Sequence, residues 1–255
     1  MSETPTPRSR VPLLDRLTDG RGRTAAAWAI APLADADYAA ELSPGLAPGL
    51  ESDGRGVTLL TSEGRVRAEA AALPVWSNAL DGLCLTAVLA GTADVDALFA
   101  EVRRVLRPAG TLVVITPSAA VRTPGQLRLR AVHRHGWPHR SALDDVGWLL
   151  AAADFAVLAE DRVAFSVDVP GTDAAGPPSR DPHLDVTRST TRRHEIHDSR
   201  GPGAPVGLSG ADGLAAELSA AGLWPPLVPA DVIARLGEES GRQWPVPLRR
   251  LIARR

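Results

Sequence analysis

The chain has no lysine. All 28 of its basic residues are arginine, set against 30 acids, so any mechanism built on a lysine amine is excluded. Cysteine is nearly absent as well. With Cys84 alone, neither an intrachain disulfide nor a thiolate metal cluster can form. Cys84 stands inside an apolar run, where a packed, inert thiol is the expectation rather than a nucleophile. No apolar run approaches the ~20 residues that a bilayer span requires, and the Ser/Pro/Arg-rich start lacks the apolar core of a secretory signal. A cytoplasmic location with no membrane partner is therefore expected. Positive charge is also in short supply: a formal net charge of -2 argues against nucleic acid as a general partner.

What the chain does have is enough length and apolar content for one sizeable core. Its 255 residues are 44% hydrophobic, with a mean hydropathy of -0.04. The expected organisation is a disordered tail over residues 1–9, an α/β core over 10–169, a flexible Gly/Pro/Ser/Arg-rich insertion over 170–212, and a segment over 213–255 that completes the same domain.

The most informative stretch runs from Glu69 to Pro117. Glu69-Ala70 with Leu73-Pro74 opens it, and an apolar run over residues 82–89 follows Leu80-Asp81. Val95, Leu98, Phe99, Val102, Val105 and Leu106 then recur at three- and four-residue steps, the pattern of one helix face. Pro108 and Gly110 predict that the helix stops and the chain reverses, with Gly110 supplying the left-handed turn, before a second apolar run over 111–116. Two uniformly apolar strands joined by a helix imply a parallel crossover.

The wording of this stretch, Glu69-Ala70-x-x-Leu73-Pro74, then Leu80-Asp81, then Glu101 through Arg103-Arg104-Val105-Leu106-Arg107-Pro108-Ala109-Gly110, closely resembles the class I S-adenosylmethionine (SAM)-dependent methyltransferases. Within them it is most similar to the small-molecule, type 11-like branch. The resemblance covers about 50 residues. It implies a Rossmann-like class I methyltransferase fold: a mostly parallel central sheet, helices on both faces, and an antiparallel last strand near the C-terminus. It implies SAM as cofactor and methyl transfer to a small molecule, and it makes Glu69, Ala70 and Thr86 candidate cofactor-binding residues, with Glu69-Ala70 at the adenine.

Around that stretch, residues 11–17 read as a short amphipathic helix and 19–22 as a turn. Residues 24–31 read as the first strand and 34–42 as a helix. On that reading the cofactor junction is Ala31-Pro32-Leu33-Ala34-Asp35-Ala36-Asp37, which lacks the glycines the family carries there; Ala31 leaves partial room, and Asp35 is a candidate for the SAM ammonium or simply a helix N-terminal acid. Residues 43–56 form a Pro/Gly-rich loop and 57–61 a short strand. The ribose-binding acid the family places at that strand's end is displaced, with Glu63 the candidate. Seven residues between Thr61 and Glu69 leave no room for a helix, so the sheet is expected to be shortened between strands 2 and 3 by a tight turn at Glu63-Gly64.

Beyond Pro117, no acid occurs from Val102 to Leu143, while five arginines accompany His133, His135 and His139 around Trp137. The segment reads either as a cover over an anionic or aromatic substrate or as a solvated basic loop. His133 and His135 are the candidate catalytic bases, histidine being the side-chain type suited to general base work near neutral pH. No nearby acid completes a zinc set, and His194 and His197 stand three apart rather than four, so no metal is expected. Ser141 is expected to cap a helix, residues 155–169 to form a hairpin or a long edge strand, 183–197 a β-ribbon, and 213–221 and 229–237 short helices. Trp224 and Trp244 are expected to wedge loops onto the core, and 247–255 to form a terminal strand or a helix. Two functions remain open on this sequence: a SAM-dependent methyltransferase-like enzyme, or a catalytically inactive protein of the same fold serving as a binding, scaffold or dimerisation subunit. A homodimer is compatible with either. A dehydrogenase-type protein is less well supported, since it too needs glycines after the first strand.

Overall fold

The computed structural model describes residues 12–44, 56–61, 64–118, 137, 140–168, 210–225 and 243–255. In chain order these form α1 (Pro12–Arg16), α2 (Ala25–Ile30), a 3-10 turn (Ala31–Leu33), β1 (Ala39–Pro44), β2 (Gly56–Thr61), β3 (Gly64–Glu69), β4 (Leu80–Thr86), α3 (Val95–Val105) and β5 (Leu106–Pro117). They continue with α4 (Arg140–Asp144), α5 (Val146–Ala152), β6 (Ala156–Asp168), α6 (Gly210–Ala220) and β7 (Gln243–Arg254). All seven strands share one sheet in the order β3-β2-β1-β4-β5-β7-β6. β1, β4 and β5 pair parallel, whereas β2 and β7 run against their neighbours, so five of the seven strands point the same way.

The middle of the chain folds as its periodicity predicts. Asp94 caps α3 by accepting the Ala97 amide at 2.9 Å, and Leu98, Phe99, Val102 and Val105 form its buried face. That face packs with Leu83, Leu85, Leu112 and Val114, while Cys84, Val113 and Ile115 point into a second core on the opposite side. β4 and β5 are thus buried on both faces, which is why they read as continuous apolar runs. One detail differs. The left-handed residue after α3 is Ala109 (φ 64), not Gly110. Gly110 is needed for space instead, because a Cβ there would lie 2.9 Å from the Arg107 carbonyl oxygen. The ladder slips here between the Leu80–Leu106 and Gly82–Thr111 pairs. Arg255 fastens the slip: its amide donates to Gly110 O, its carbonyl accepts from Ala109 N, and its guanidinium donates to Leu106 O and Asn78 Oδ1.

The N-terminal third departs from expectation. Residues 24–31, read as a strand, form α2: Thr24 Oγ1 accepts the Ala27 amide at 3.1 Å as N-cap, and Ala25, Ala26, Trp28 and Ala29 are buried. Alanine has the highest helix propensity, and the cap decides an otherwise ambiguous run. Residues 34–42, read as a helix, instead lead into β1. The helix expected to be lost between strands 2 and 3 is indeed absent, since β2 and β3 form an antiparallel pair separated by only two residues. β2 also runs antiparallel to β1.

Towards the C-terminus, residues 156–168 make one 13-residue edge strand, and 243–254 is a strand antiparallel to both β5 and β6. The helix expected from Ser141 is split: Ser141 lies inside α4, and Asp145 occupies the N-cap position of α5. Trp244 belongs to β7 rather than a loop, and it meets Trp224 edge-on at 4.9 Å between ring centroids. α1, α2 and α6 cover one face of the sheet, and α3 and α5 the other. The candidate elements over 183–197 and 229–237 lie outside the described residues.

Candidate functional site

From β1 the chain goes outward through β2 to β3, and from β4 it goes the other way to β5, so the strand order reverses between β1 and β4. In an open α/β sheet such a reversal leaves a crevice outside the carboxyl ends of the two strands, because their connections leave in opposite directions. Side chains alternate along each strand. Ala40 and Leu42 of β1 join the α3-side core, which turns Glu41 and Ser43 to the other face, alongside Cys84 and Thr86 of β4.

There Thr86 Oγ1 donates to Glu41 Oε1 at 2.7 Å. A hydroxyl has one hydrogen, so the 3.6 Å contact between Cys84 Sγ and Thr86 Oγ1 is the thiol donating to the hydroxyl. A buried polar chain, Cys84 to Thr86 to Glu41, therefore spans the reversal. Burial pushes the Glu41 carboxyl above its ordinary value; the Thr86 hydrogen bond opposes this, and the charge of Asp15 adds to it. Burial also pushes the Cys84 thiol far up, with the Glu41 charge adding to the effect. The inert thiol expected from sequence is what the fold holds.

Glu69 and Ala70 reach the same edge. Glu69 ends β3 opposite Gly56, and the adjacent Val57 lies opposite Pro44 at the end of β1. Glu69 is exposed and Ala70 is buried. The turn that follows is pinned to α3: Glu101 Oε2 accepts the Leu73 amide at 2.9 Å, and Arg104 donates to Leu73 O at 2.9 Å and Val75 O at 2.8 Å.

Two other expected cofactor residues lie elsewhere. Ala31 and Asp35 precede β1 and sit at the opposite, amino edge of the sheet. Leu33, beside them, packs onto Gly82 near the start of β4, and Tyr38 O accepts the Asp81 and Gly82 amides. The expected cofactor junction lies at that edge because β1 begins eight residues beyond Ala31, at Ala39. The residues that follow β1 are Gly45-Leu46-Ala47-Pro48-Gly49, with two glycines in five positions. β2 runs antiparallel to β1, so its Thr61 end lies towards the amino edge of the sheet. Glu63, and with it His133, His135 and His139, lies outside the described residues. Glu41 was not anticipated. Its signal was an acid inside a short Ala/Leu run that ends in Pro44-Gly45. Among the described residues, no group of three or more His, Cys, Asp or Glu is placed to hold a metal, and no helix is long and apolar enough to cross a membrane.

A turn after α6 closes over the crevice. Gly222 (φ 67) follows the helix, with its amide on Ser219 O and the Leu223 amide on Leu218 O. A Cβ at Gly222 would lie 2.7 Å from Ala87 O and 3.2 Å from Pro44 Cγ. The turn thus rests on the ends of β1 and β4 together.

Residues 19–114 match the family model described as Methyltransferase domain. Solved structures similar to this chain include a SAM-dependent methyltransferase from Aquifex aeolicus, 19% identical, covering 38% of this chain and 47% of that one with a TM-score of 0.30. A SAM-dependent methyltransferase from Methanosarcina mazei is 16% identical over 37% of this chain and 55% of that one, TM-score 0.31. The YcgJ protein from Bacillus subtilis is 12% identical over 74% and 69%, TM-score 0.34. The chain spans about half the length of the first two of these structures. No curated protein matches the sequence.

Proposed function

We propose that this chain, a member of the class I SAM-dependent methyltransferase superfamily with the Rossmann-like fold of that group, binds SAM at the β1–β4 reversal and transfers its methyl group to a small molecule. The observation that carries the reading is the buried Glu41–Thr86 pair bridging the two strand ends where an open sheet takes its ligand. SAM carries an ammonium and a sulfonium, and a desolvated carboxylate is the group that favours such cations. Glu69 and Ala70, at the same edge, are the proposed contacts to the adenine, and Gly45 and Gly49 follow the strand on which Glu41 stands. When bound, SAM supplies an electrophilic methyl group.

The work of the protein's own residues is to hold and orient. Glu41 neutralises the cationic end, Thr86 fixes the carboxylate's rotamer, and Arg104 and Glu101 hold the turn carrying Leu73 in place beside Glu69. Positioning of this kind supplies most of the acceleration in a displacement reaction. His133 or His135 is the proposed base for the acceptor's proton, with the arginine-rich segment around them suited to an anionic or aromatic acceptor.

Calorimetry with S-adenosylhomocysteine tests the reading. Binding in the micromolar range, weakened at least tenfold by Glu41→Gln and by Glu69→Ala, supports it; no heat at millimolar ligand refutes it. A second reading, a catalytically silent subunit of the same fold, draws on the Gly222 turn that rests on both strand ends.

A further inference from the structure

β1 pairs antiparallel with β2, the next described element, and among the described residues no helix lies between them. The face bearing Cys84 and Ala87 is covered by α1 and α2 together with α6, an element from far along the chain. Leu214 and Leu218 of α6, with Leu223 and Trp224 after it, are buried in the same core as Leu13, Leu17, Trp28, Cys84 and Ala87. The polar tie between α6 and α1 is a surface pair, Arg16 to Glu217 at 2.7 Å, with both side chains about 40–45% exposed. A pair of that kind contributes little. At its C-terminal end the element makes its closest approach to the rim, where Gly222 touches Ala87 and Pro44 with no room for even a methyl group.

We propose that α6 and its Gly222 turn form a movable roof over the β1–β4 crevice, docked on the strand ends and displaced for the cofactor's methionine end to reach Glu41. This rests on the cofactor site proposed above. Two features make the roof separable from the rest of the fold. It is docked chiefly by apolar contacts from one helix and its turn, and it belongs to none of the strand pairings that build the sheet. Because the closed roof and the cofactor compete for the same place, the apparent affinity is the intrinsic affinity reduced by the fraction of molecules with the roof lifted.

The test is S-adenosylhomocysteine calorimetry on the full chain and on two variants. Gly222→Ala puts a methyl group 2.7 Å from a backbone oxygen, at a left-handed φ, and so lifts the turn. Leu218→Ala weakens docking of the helix without touching the rim. Circular dichroism and urea melts establish that each variant keeps its sheet. The expected result is tenfold or more tighter binding by both variants, together with faster amide exchange at residues 218–224 of the wild type when ligand is added. Equal or weaker binding by folded variants, with the wild type binding well, overturns the roof and leaves the cofactor site standing. Absence of binding by all three proteins refutes the cofactor site, and the roof with it. If Leu218→Ala fails to fold, Gly222→Ala and the exchange measurement decide alone.

Discussion

Removing the Thr86 hydroxyl while keeping its shape, Thr86→Val, isolates the polar chain at the strand reversal. In the wild type the hydroxyl is the hydrogen-bond donor to Glu41 Oε1, at 2.7 Å, and Glu41 is only 8% exposed. The variant leaves a desolvated carboxylate without that donor, a loss of about 1–3 kcal/mol. For a chain of this size each kcal/mol moves the midpoint by about 2–4 °C, so a central loss of ~2 kcal/mol lowers Tm by roughly 4–8 °C. The pH dependence gives the sharper test. Glu41's carboxyl is raised by burial, so the folded state holds its proton more tightly than the unfolded state does. The stability contributed by the protonated form is complete below the ordinary carboxylate range and declines as pH rises through the folded value. Thr86→Val removes the bond that opposes this rise. The gap between variant and wild type should therefore be widest near neutral pH and narrow towards pH ~4, where a neutral carboxyl loses only an ordinary hydrogen bond of about 1 kcal/mol. Urea melts followed by tryptophan fluorescence at several pH values measure it, with Glu41→Gln as the background in which the charge is absent. A loss that is the same at acid and neutral pH, or the same in the Glu41→Gln background, would refute the assignment of a buried charge.

Arg104→Ala should cost about 2–3 kcal/mol, because one guanidinium holds Leu73 O, Val75 O and the Glu101 carboxylate together. Glu101 is held below its ordinary value, first by the Arg104 hydrogen bond, so the stability it lends is present above the carboxylate range and lost as pH falls; the cost of the variant should shrink in acid melts. Gly110→Ala should cost about 1–3 kcal/mol by equilibrium denaturation, since its methyl group meets the Arg107 carbonyl oxygen at 2.9 Å. Cys84, buried and with its thiol pushed up, should resist a thiol reagent in the native protein and react at once in denaturant; rapid native labelling would show the β1–β4 face to be open.

How far the sequence could be read varied along the chain for identifiable reasons. Residues 80–117 were legible because α3 shows a clean helical period between two strands buried on both faces, so pattern and burial agree. The N-terminal third was not. Ala25–Ile30 is apolar throughout, compatible with a strand or a helix, and only the Thr24 cap decides. That single misplacement put the expected cofactor junction at the amino edge of the sheet and hid Glu41, whose charge inside a buried strand looked helical. The shortening between β2 and β3 was legible from length alone, whereas the reversed direction of β2 was not, since a strand's periodicity is the same read either way. Glu69, Ala70 and Thr86 reach the carboxyl edge, while Ala31 and Asp35 do not.

The sheet is unevenly fastened. Beyond β4 its strands are cross-braced: Arg249 ties β7 to Glu160, Arg250 ties it to Asp161, and the chain's last arginine is stapled beneath β5. On the other side, the hairpin of β2 and β3 is joined to the body through β1. Unzipping from that flank breaks one ladder, whereas the braced flank must shear several at once. Glu69 rides on the loose leaf and Thr86 on the firm one, so a molecule touching both would act as a clasp. Amide exchange along β2 and β3 would slow first when it arrives.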